Sequence, residues 1–234
     1  QSKYLKHSSL RIFGPQAVSA EKLFGNISKV LEINSQTKVN QINKFIKFQD
    51  YADFGPKIIQ VPLDLQRMHI NNSSKNIYNF VSIKKRTKDK DKLFKTLEKL
   101  MKQSKRPSVL IGGGLRNDEG KEILKDFSKN NDIPIALTWT SKDMLSNNNK
   151  NYCGLPGYFC NRAANASLYY SDLIIVIGSR LDPLQLGYQT KELLKDKKFV
   201  IIDNDRYELK KHDFQNMNKF VYDGVEALKI LNKI

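Results

Sequence analysis

Short apolar runs alternate with longer amphipathic stretches through most of this chain, and from Lys90 onward the alternation is regular. Leu93, Phe94, Leu97, Leu100 and Met101 recur at i, i+3, i+4 spacing, the stripe of a helix that buries one face. Residues 108–112 (SVLIG) then read as a strand, and 118–131 as a helix with Asp118 as its expected N-cap. The pattern continues with a strand at 133–138, a helix at 161–172 and strands at 173–178 (LIIVIG), 198–203 (KFVIID) and 219–223. A helix over 224–234 closes it. Apolar, β-branched runs between amphipathic helices predict a parallel sheet covered on both faces. The expected fold is therefore α/β: a doubly wound, mainly parallel, Rossmann-like sheet over 91–234.

Upstream the pattern is sparser. Val39, Ile42, Phe45, Ile46 and Ala52 suggest one amphipathic helix within 35–53, ended by Gly55 and Pro56. Residues 57–61 (KIIQV) read as a single buried strand with no obvious partner before it. This predicts a partial α/β domain over 1–66, and the missing initiator Met fits a chain that begins inside a larger protein. Residues 67–90, rich in Asn, Ser and Lys, read as a linker.

Charge alters this picture little. The formal net charge is +16, with 40 Lys and Arg against 24 Asp and Glu. The excess is mostly Lys, spread along helix faces, without the Arg-and-aromatic platform that stacks bases. A solvated surface and no nucleic-acid partner are expected. No apolar run is long enough for a membrane span, and the start has no signal-peptide core, so no membrane partner is expected. Cys153 and Cys160 are too few for a disulfide framework, which fits a cytoplasmic setting.

Ligands of open α/β sheets bind beyond the carboxyl ends of the strands, so the residues there are the candidates. After the first strand come Gly112, Gly113 and Gly114, which either expose amides to a phosphate or make a tight strand–helix turn. Thr138 follows the second strand. Gly157 offers another exposed backbone at a helix entry, followed by Asn161 and Arg162 in the first turn. An Arg there opposes the helix dipole, which a bound anion would relieve. Arg180 and Asp182 follow the third strand and could bind a polar ligand or pair with each other. Asp203 ends the fourth strand, where an acid can hold ribose hydroxyls. With Asn204 and Asp205 it could also suggest a metal, but no further carboxylate cluster supports one, and Asp205 reads better as an N-cap. No nucleophile triad, zinc motif or phosphate-binding lysine loop occurs. His7, His69 and His212 are scattered and read as surface residues.

Taken together these segments resemble one family. GPKIIQVPLDLQ (55–66) is similar to the end of the pyrimidine-binding domain of acetolactate-synthase-like, thiamine-diphosphate-dependent enzymes, and 11–24 to the segment before it. SKRPSVLIGGG (104–114), IPIALTWTSKDML (133–145), the stretch 152–182 and KKFVIIDNDRYELKK (197–211) resemble successive parts of the family's middle domain, in order. The resemblance implies three α/β domains in an intact enzyme. The first supplies a Glu for the thiamine aminopyrimidine, and the third holds the diphosphate through Mg²⁺; neither element is found here, so the resemblance implies no catalytic or metal-ligating residue in this chain. A stand-alone dinucleotide-binding module without catalysis is the alternative expectation. It further implies a 2-oxo acid substrate, a homodimer or homotetramer, and a middle domain that binds FAD or ADP or nothing. The implied contacts to such a nucleotide are Gly112, Gly113, Gly114, Thr138, Gly157, Asn161, Arg162, Arg180 and Asp203. Two segments depart from acetolactate synthase: 155–159 reads LPGYF, and 180–185 reads RLDPLQ without the second Asp-Arg pair. The run GSRLDPLQLGYQ (178–189) is closer in form to relatives whose substrate is not pyruvate.

Overall fold

The computed structural model describes residues 19–47, 55–69, 85, 87–158, 160–186, 194–211 and 217–234. The expectations for 1–18 and for most of the 67–90 linker fall outside these residues, as do His7 and His212. Two compact units separate at Lys84/Lys85.

In the first unit, α1 (Ala20–Phe24) starts at Ser19, whose side chain accepts from the Lys22 amide. It is followed by β1 (Lys29–Glu32), α2 (Val39–Ile46), β2 (Lys57–Gln60) and α3 (Leu63–Gln66). Here the expectation of a lone strand is corrected: β1 pairs with β2 in parallel, Val30 facing Ile58 and Leu31 facing Ile59. KVLE is short and carries a charge at each end, which hides it from a pattern search. The helix expected within 35–53 runs only from Val39 to Ile46, where Lys47 leaves it in extended backbone. Lys57 Nζ donates to the carbonyls of Phe45 and Lys47 at the α2 C-terminus, 2.8 and 2.9 Å away, where a cation complements the helix dipole. None of the three helices has a buried residue, and Leu23, Ile27, Val39 and Leu63 stay exposed.

The second unit bears out the doubly wound fold. Its elements are α4 (Lys90–Gln103), β3 (Pro107–Ile111), α5 (Asp118–Asn130), β4 (Ile135–Leu137), β5 (Tyr152–Gly154) and α6 (Arg162–Tyr169). Then come β6 (Leu173–Ile177), α7 (Pro183–Leu186), β7 (Lys198–Asp203), α8 (Arg206–Lys210), β8 (Met217–Val221) and α9 (Gly224–Leu231). Six strands lie in the order β5-β4-β3-β6-β7-β8, every neighbouring pair parallel. The edge strand β5 was not expected, and β8 starts two residues earlier than the sequence pattern suggests.

Alternation along the strands divides the core. Val109, Ile111, Ile175, Ile177, Val200 and Ile202 pack with Leu93 and Leu97 of α4, Leu124 and Phe127 of α5, and Leu228 of α9. Leu110, Ile174, Val176, Phe199 and Ile201 pack on the other face with Ala164 and Leu168 of α6 and Leu209 of α8. All five residues of β6 are buried, as a central strand with both faces covered requires. Each such aliphatic side chain contributes about 1.5–3 kcal/mol of burial. The α5 N-cap is Asn117 rather than Asp118: its side-chain oxygen accepts from the Gly120 amide at 2.7 Å, and Asp118 becomes the first helical residue. No described helix is long and apolar enough to cross a membrane.

One carboxylate organises the amino ends of the strands. Asp172 accepts from the Ser104 hydroxyl and from the Lys105 and Arg106 amides at 2.8 and 3.1 Å. Its own amide donates to the Arg106 carbonyl, and its carbonyl accepts from the Lys198 amide. The starts of β3, β6 and β7 thus meet at one residue. Burial alone would push the Asp172 carboxyl up, but these donors together hold it below the ordinary carboxylate range. A depressed carboxylate stabilises the fold above the unfolded-state pKa, about 4, and loses that contribution as pH falls through its folded value. Asp172→Asn should therefore cost ~1–2 kcal/mol at pH 7, allowing for solvent screening of a half-buried group. In urea unfolding the gap to the unsubstituted chain should narrow below about pH 4; a gap independent of pH would mean the carboxylate charge plays no part.

Ser108 gives a second test. Its hydroxyl lies fully buried in β3 without a hydrogen-bond partner among the described residues. Ser108→Ala removes an unsatisfied polar group and should leave the melting temperature unchanged or raised. A clear drop would reveal a partner for that hydroxyl.

Candidate functional site

The sheet order places β3 and β6 side by side at its centre, although α5, β4, β5 and α6 intervene in sequence. Chain connections leave this point in opposite directions, which opens a crevice at the carboxyl ends. Two glycine loops meet there. The Gly112 amide donates to the Ile177 carbonyl at 2.9 Å, and the Gly114 amide to the Gly178 carbonyl at 3.0 Å. A Cβ at Gly112 would stand 2.1 Å from the Gly178 oxygen, so no larger residue fits without moving backbone. Gly178 itself has φ +63, in the left-handed region. Of the two readings the sequence left open, the tight packing turn describes Gly112 and Gly114. Gly113 differs: no backbone bond from its amide occurs among the described residues.

Thr138 turns inward. It is buried, and its Oγ1 lies 3.1 Å from both Thr140 Oγ1 and Ser141 Oγ; Ser141 in turn donates to the Ile111 carbonyl at 2.8 Å. This hydroxyl cluster supports the glycine loop from below, since a Cβ on Gly113 would come within 2.6 Å of Thr140 Oγ1.

Gly157, Asn161 and Arg162 gather where α6 begins. Gly157 has φ +130, and its peptide is clasped by Asn165: its amide donates to Asn165 Oδ1 at 2.8 Å and its carbonyl accepts from Nδ2 at 2.9 Å. The expectation of a bare amide at Gly157 is thereby corrected. Asn161 Oδ1 accepts from the Leu155 amide at 2.8 Å and so shapes the preceding loop. Arg162 is exposed, and with Gly157, Tyr158, Asn165 and Gln185 it lines a pocket of about 520 Å³.

Arg180 and Asp203 lie on the other side of the switch point. The expected alternative of an Arg180–Asp182 pair does not form. Asp182 Oδ1 accepts from the Leu184 and Gln185 amides, capping α7, while Arg180 Nε sits 3.7 Å from Glu208 of α8. Between them Leu181 is buried with φ +48, an uncommon conformation for a residue with a Cβ. Asp203 Oδ1 accepts from the Asp205 amide at 2.8 Å. Burial pushes its carboxyl above the ordinary range, helped by Glu208 and Asp205 and opposed by that amide and by Arg180. Asp205 is an N-cap as expected, accepting from the Tyr207 amide at 2.8 Å. Asn204 Oδ1 is buried without a partner among the described residues. His69 is exposed, and among the described residues no group of three or more His, Cys, Asp or Glu could hold a metal ion.

The nine candidates thus form three groups rather than one lining, joined by residues that pattern reading did not single out. Ser179 donates to Gln185 Oε1 at 3.0 Å, and the Tyr158 amide donates to the Leu184 carbonyl at 3.2 Å, tying the Gly157 loop to the Gly178 loop. Gly178 could have been found from sequence, because it occupies the same post-strand place as Gly112. Asn165 and Gln185 lie inside helices and give no such signal.

Comparison with known proteins matches residues 94–228 to the thiamine pyrophosphate enzyme central domain family. The acetolactate synthase of Mycobacterium leprae is 26% identical over 158 residues, 68% of this chain and 25% of that protein. The 3D-(3,5/4)-trihydroxycyclohexane-1,2-dione hydrolase of Halalkalibacterium halodurans is 28% identical over 172 residues, 74% of this chain and 27% of that protein. The hydrolase of the same name from Clostridium botulinum is 27% identical over 195 residues, 82% of this chain and 30% of that protein. The chain therefore spans less than a third of the length of these relatives. With the match covering 94–228 and the six-stranded parallel sheet beneath it, this chain belongs to the thiamine pyrophosphate enzymes and carries their central domain.

Proposed function

We propose that the chain is part of a thiamine-diphosphate- and Mg²⁺-dependent enzyme that decarboxylates or ligates 2-oxo acids, working in the cytoplasm as a homodimer or homotetramer. Residues 1–66 would contribute the end of its pyrimidine-binding domain, 67–90 a linker and 91–234 the structural middle domain. The observation that carries this reading is the central-domain match laid over a six-stranded parallel sheet. A second reading, hydrolysis of a cyclic dione, is favoured by the greater share of this chain that aligns with the Halalkalibacterium halodurans and Clostridium botulinum hydrolases than with the Mycobacterium leprae synthase.

Thiamine diphosphate supplies the electron sink for breaking a bond beside a carbonyl. No residue of this chain is assigned to hold it or Mg²⁺. The middle domain's own part is to offer a crevice whose walls are fixed by backbone contact. A nucleotide such as FAD or ADP fits it in charge and in one orphaned group. Arg162 is exposed beside the Gly157 pocket, the Gly113 amide is unused by the surrounding backbone, and Asn204 Oδ1 is a buried acceptor awaiting a donor beside Asp203. Gly112, Gly114 and Gly157 would contribute shape, since their amides are already engaged.

Titration of the 234-residue chain with FAD and with ADP tests this role. Arg162→Glu should weaken the binding of either by roughly tenfold or more, the loss of a charge-assisted contact. Arg180→Glu should matter less, because Arg180 already leans on Glu208. Unchanged affinity in Arg162→Glu removes that residue from the site, and no uptake by folded protein makes the domain a spacer. The same chain supplied with thiamine diphosphate, Mg²⁺ and pyruvate should show no turnover; measurable decarboxylation would relocate the chemistry into these residues.

A further inference from the structure

A groove of the second unit lies at the amino ends of the strands, opposite the crevice described above. It is open to solvent and holds about 790 Å³. One wall is a single face of α4, with Lys95, Thr96, Lys99 and Gln103; the other is Asp196, Lys197 and Lys198 leading into β7, with Asn218 from β8. Leu100 and Met217 form its floor. Four lysines thus face one aspartate.

The lysines of this groove differ from many others on the domain. Lys85, Lys102, Lys121, Lys125, Lys150, Lys211 and Lys229 each meet a carboxylate within 3.2 Å. In the groove no lysine has a carboxylate partner among the described residues. Lys198 Nζ is fixed by Gln103 Oε1 at 2.7 Å, bridging the two walls. Lys197 Nζ is held by the carbonyls of Tyr169 and Ser171, where the end of α6 and the following turn leave acceptors open. Lys95 and Lys99 are one turn apart on the same helix face and repel each other. Burial pushes the Lys197 ammonium down and repulsion from Arg106 adds to this, while the Asp172 carboxylate opposes both. Such a concentration of unneutralised ammonium groups in a concave, polar-walled space is complementary to multiple negative charge. A second copy of this chain, with the same net charge of +16, is a poor partner for it.

We infer that this groove is a binding site for a small polyanion carrying two or more phosphate groups, held by Lys95, Lys99 and Lys198 with hydrogen bonds from Gln103 and Asn218. The site is independent of the crevice at the carboxyl ends and of the reaction proposed for the whole protein.

Tripolyphosphate is the probe, titrated calorimetrically into the 234-residue chain at low and physiological salt, with inorganic phosphate as the weaker comparison. Saturable binding is expected, at least tenfold tighter for tripolyphosphate than for phosphate and weaker as salt rises. Lys99→Glu should weaken it by roughly tenfold or more, and Lys99→Gln by a smaller factor. Lys129→Glu, on the exposed face of α5, should change it less than about twofold. The thermal unfolding of Lys99→Gln, expected unchanged, separates loss of site from loss of fold. Absence of saturable binding overturns the inference, as does equal weakening by Lys99→Glu and Lys129→Glu, which would show only the general field of a basic protein. A single-stranded RNA of about twelve nucleotides that displaces tripolyphosphate, and is itself weakened by Lys99→Glu, would also overturn it in favour of a nucleic-acid backbone.

Discussion

The second unit depends on two backbones being able to touch. Where the loop after β3 meets the loop after β6, the Gly112 peptide lies against the Gly178 carbonyl, with no room for a Cβ between them. Two hydrogen bonds follow from that closeness, from Gly112 to Ile177 and from Gly114 to Gly178. They extend the central β3–β6 pairing past the last strand residues and fix the crevice at the point where the chain reverses direction across the sheet. Gly224 joins the same packing, since a Cβ there would press on Leu115 and Ile177. A side chain at Gly112 would push two loops and two helices apart together.

This constraint decides how the candidate site can work. Glycines at strand ends are commonly read as amide donors, but amides that hold a sheet together are unavailable to a ligand. Under the proposed nucleotide-binding role, recognition would pass from the Gly112, Gly114 and Gly157 backbones to side chains such as Arg162 and to the Gly113 amide. The loop after β6 bears the cost in conformation: Leu181 is buried with positive φ, held between the Ser179 hydroxyl and the Asp182 cap. A strained backbone persists only where its surroundings over-determine it, and here both flanking side chains do so.

Much of the fold was legible because apolar period and secondary structure coincide. KFVIID is a strand over the same six residues that the pattern marks, and the α4 stripe buries Leu93, Leu97 and Leu100, while Phe94 at its edge is exposed and Met101 only partly buried. Two strands escaped. β1 is four residues with charged ends, and β5 is three half-buried residues in a loop-like stretch rich in Asn; neither offers the apolar run on which pattern reading relies. The N-cap of α5 was misplaced by one residue because Asn117 and Asp118 are equally good caps by type, and only geometry separates them. Site residues were less legible for a different reason. Position after a strand is written in the sequence, whereas the partner of a polar group is not. Nothing in the order Arg180, Leu181, Asp182 says that the Arg reaches Glu208 on the next helix while the Asp caps its own.

The two ends of the sheet solve the same problem with opposite chemistry. At the carboxyl ends, strands are joined by glycine backbones at minimal distance. At the amino ends they are joined by the Asp172 carboxylate, which gathers donors from the segment leading into β3. A third device fixes the start of the unit. Lys85 and Lys229 both reach Glu119 and Glu226, in the first turns of α5 and α9. The Glu119 carboxyl is pulled down to about 2, first by Lys229 and then by Lys85. Because both acids sit at helix N-termini, where negative charge is already favoured, they remain ionised without the lysines. The network therefore does little to form either helix. What it adds is position: it sets the point at which the chain enters the domain against two helices that pack on the same face of the sheet.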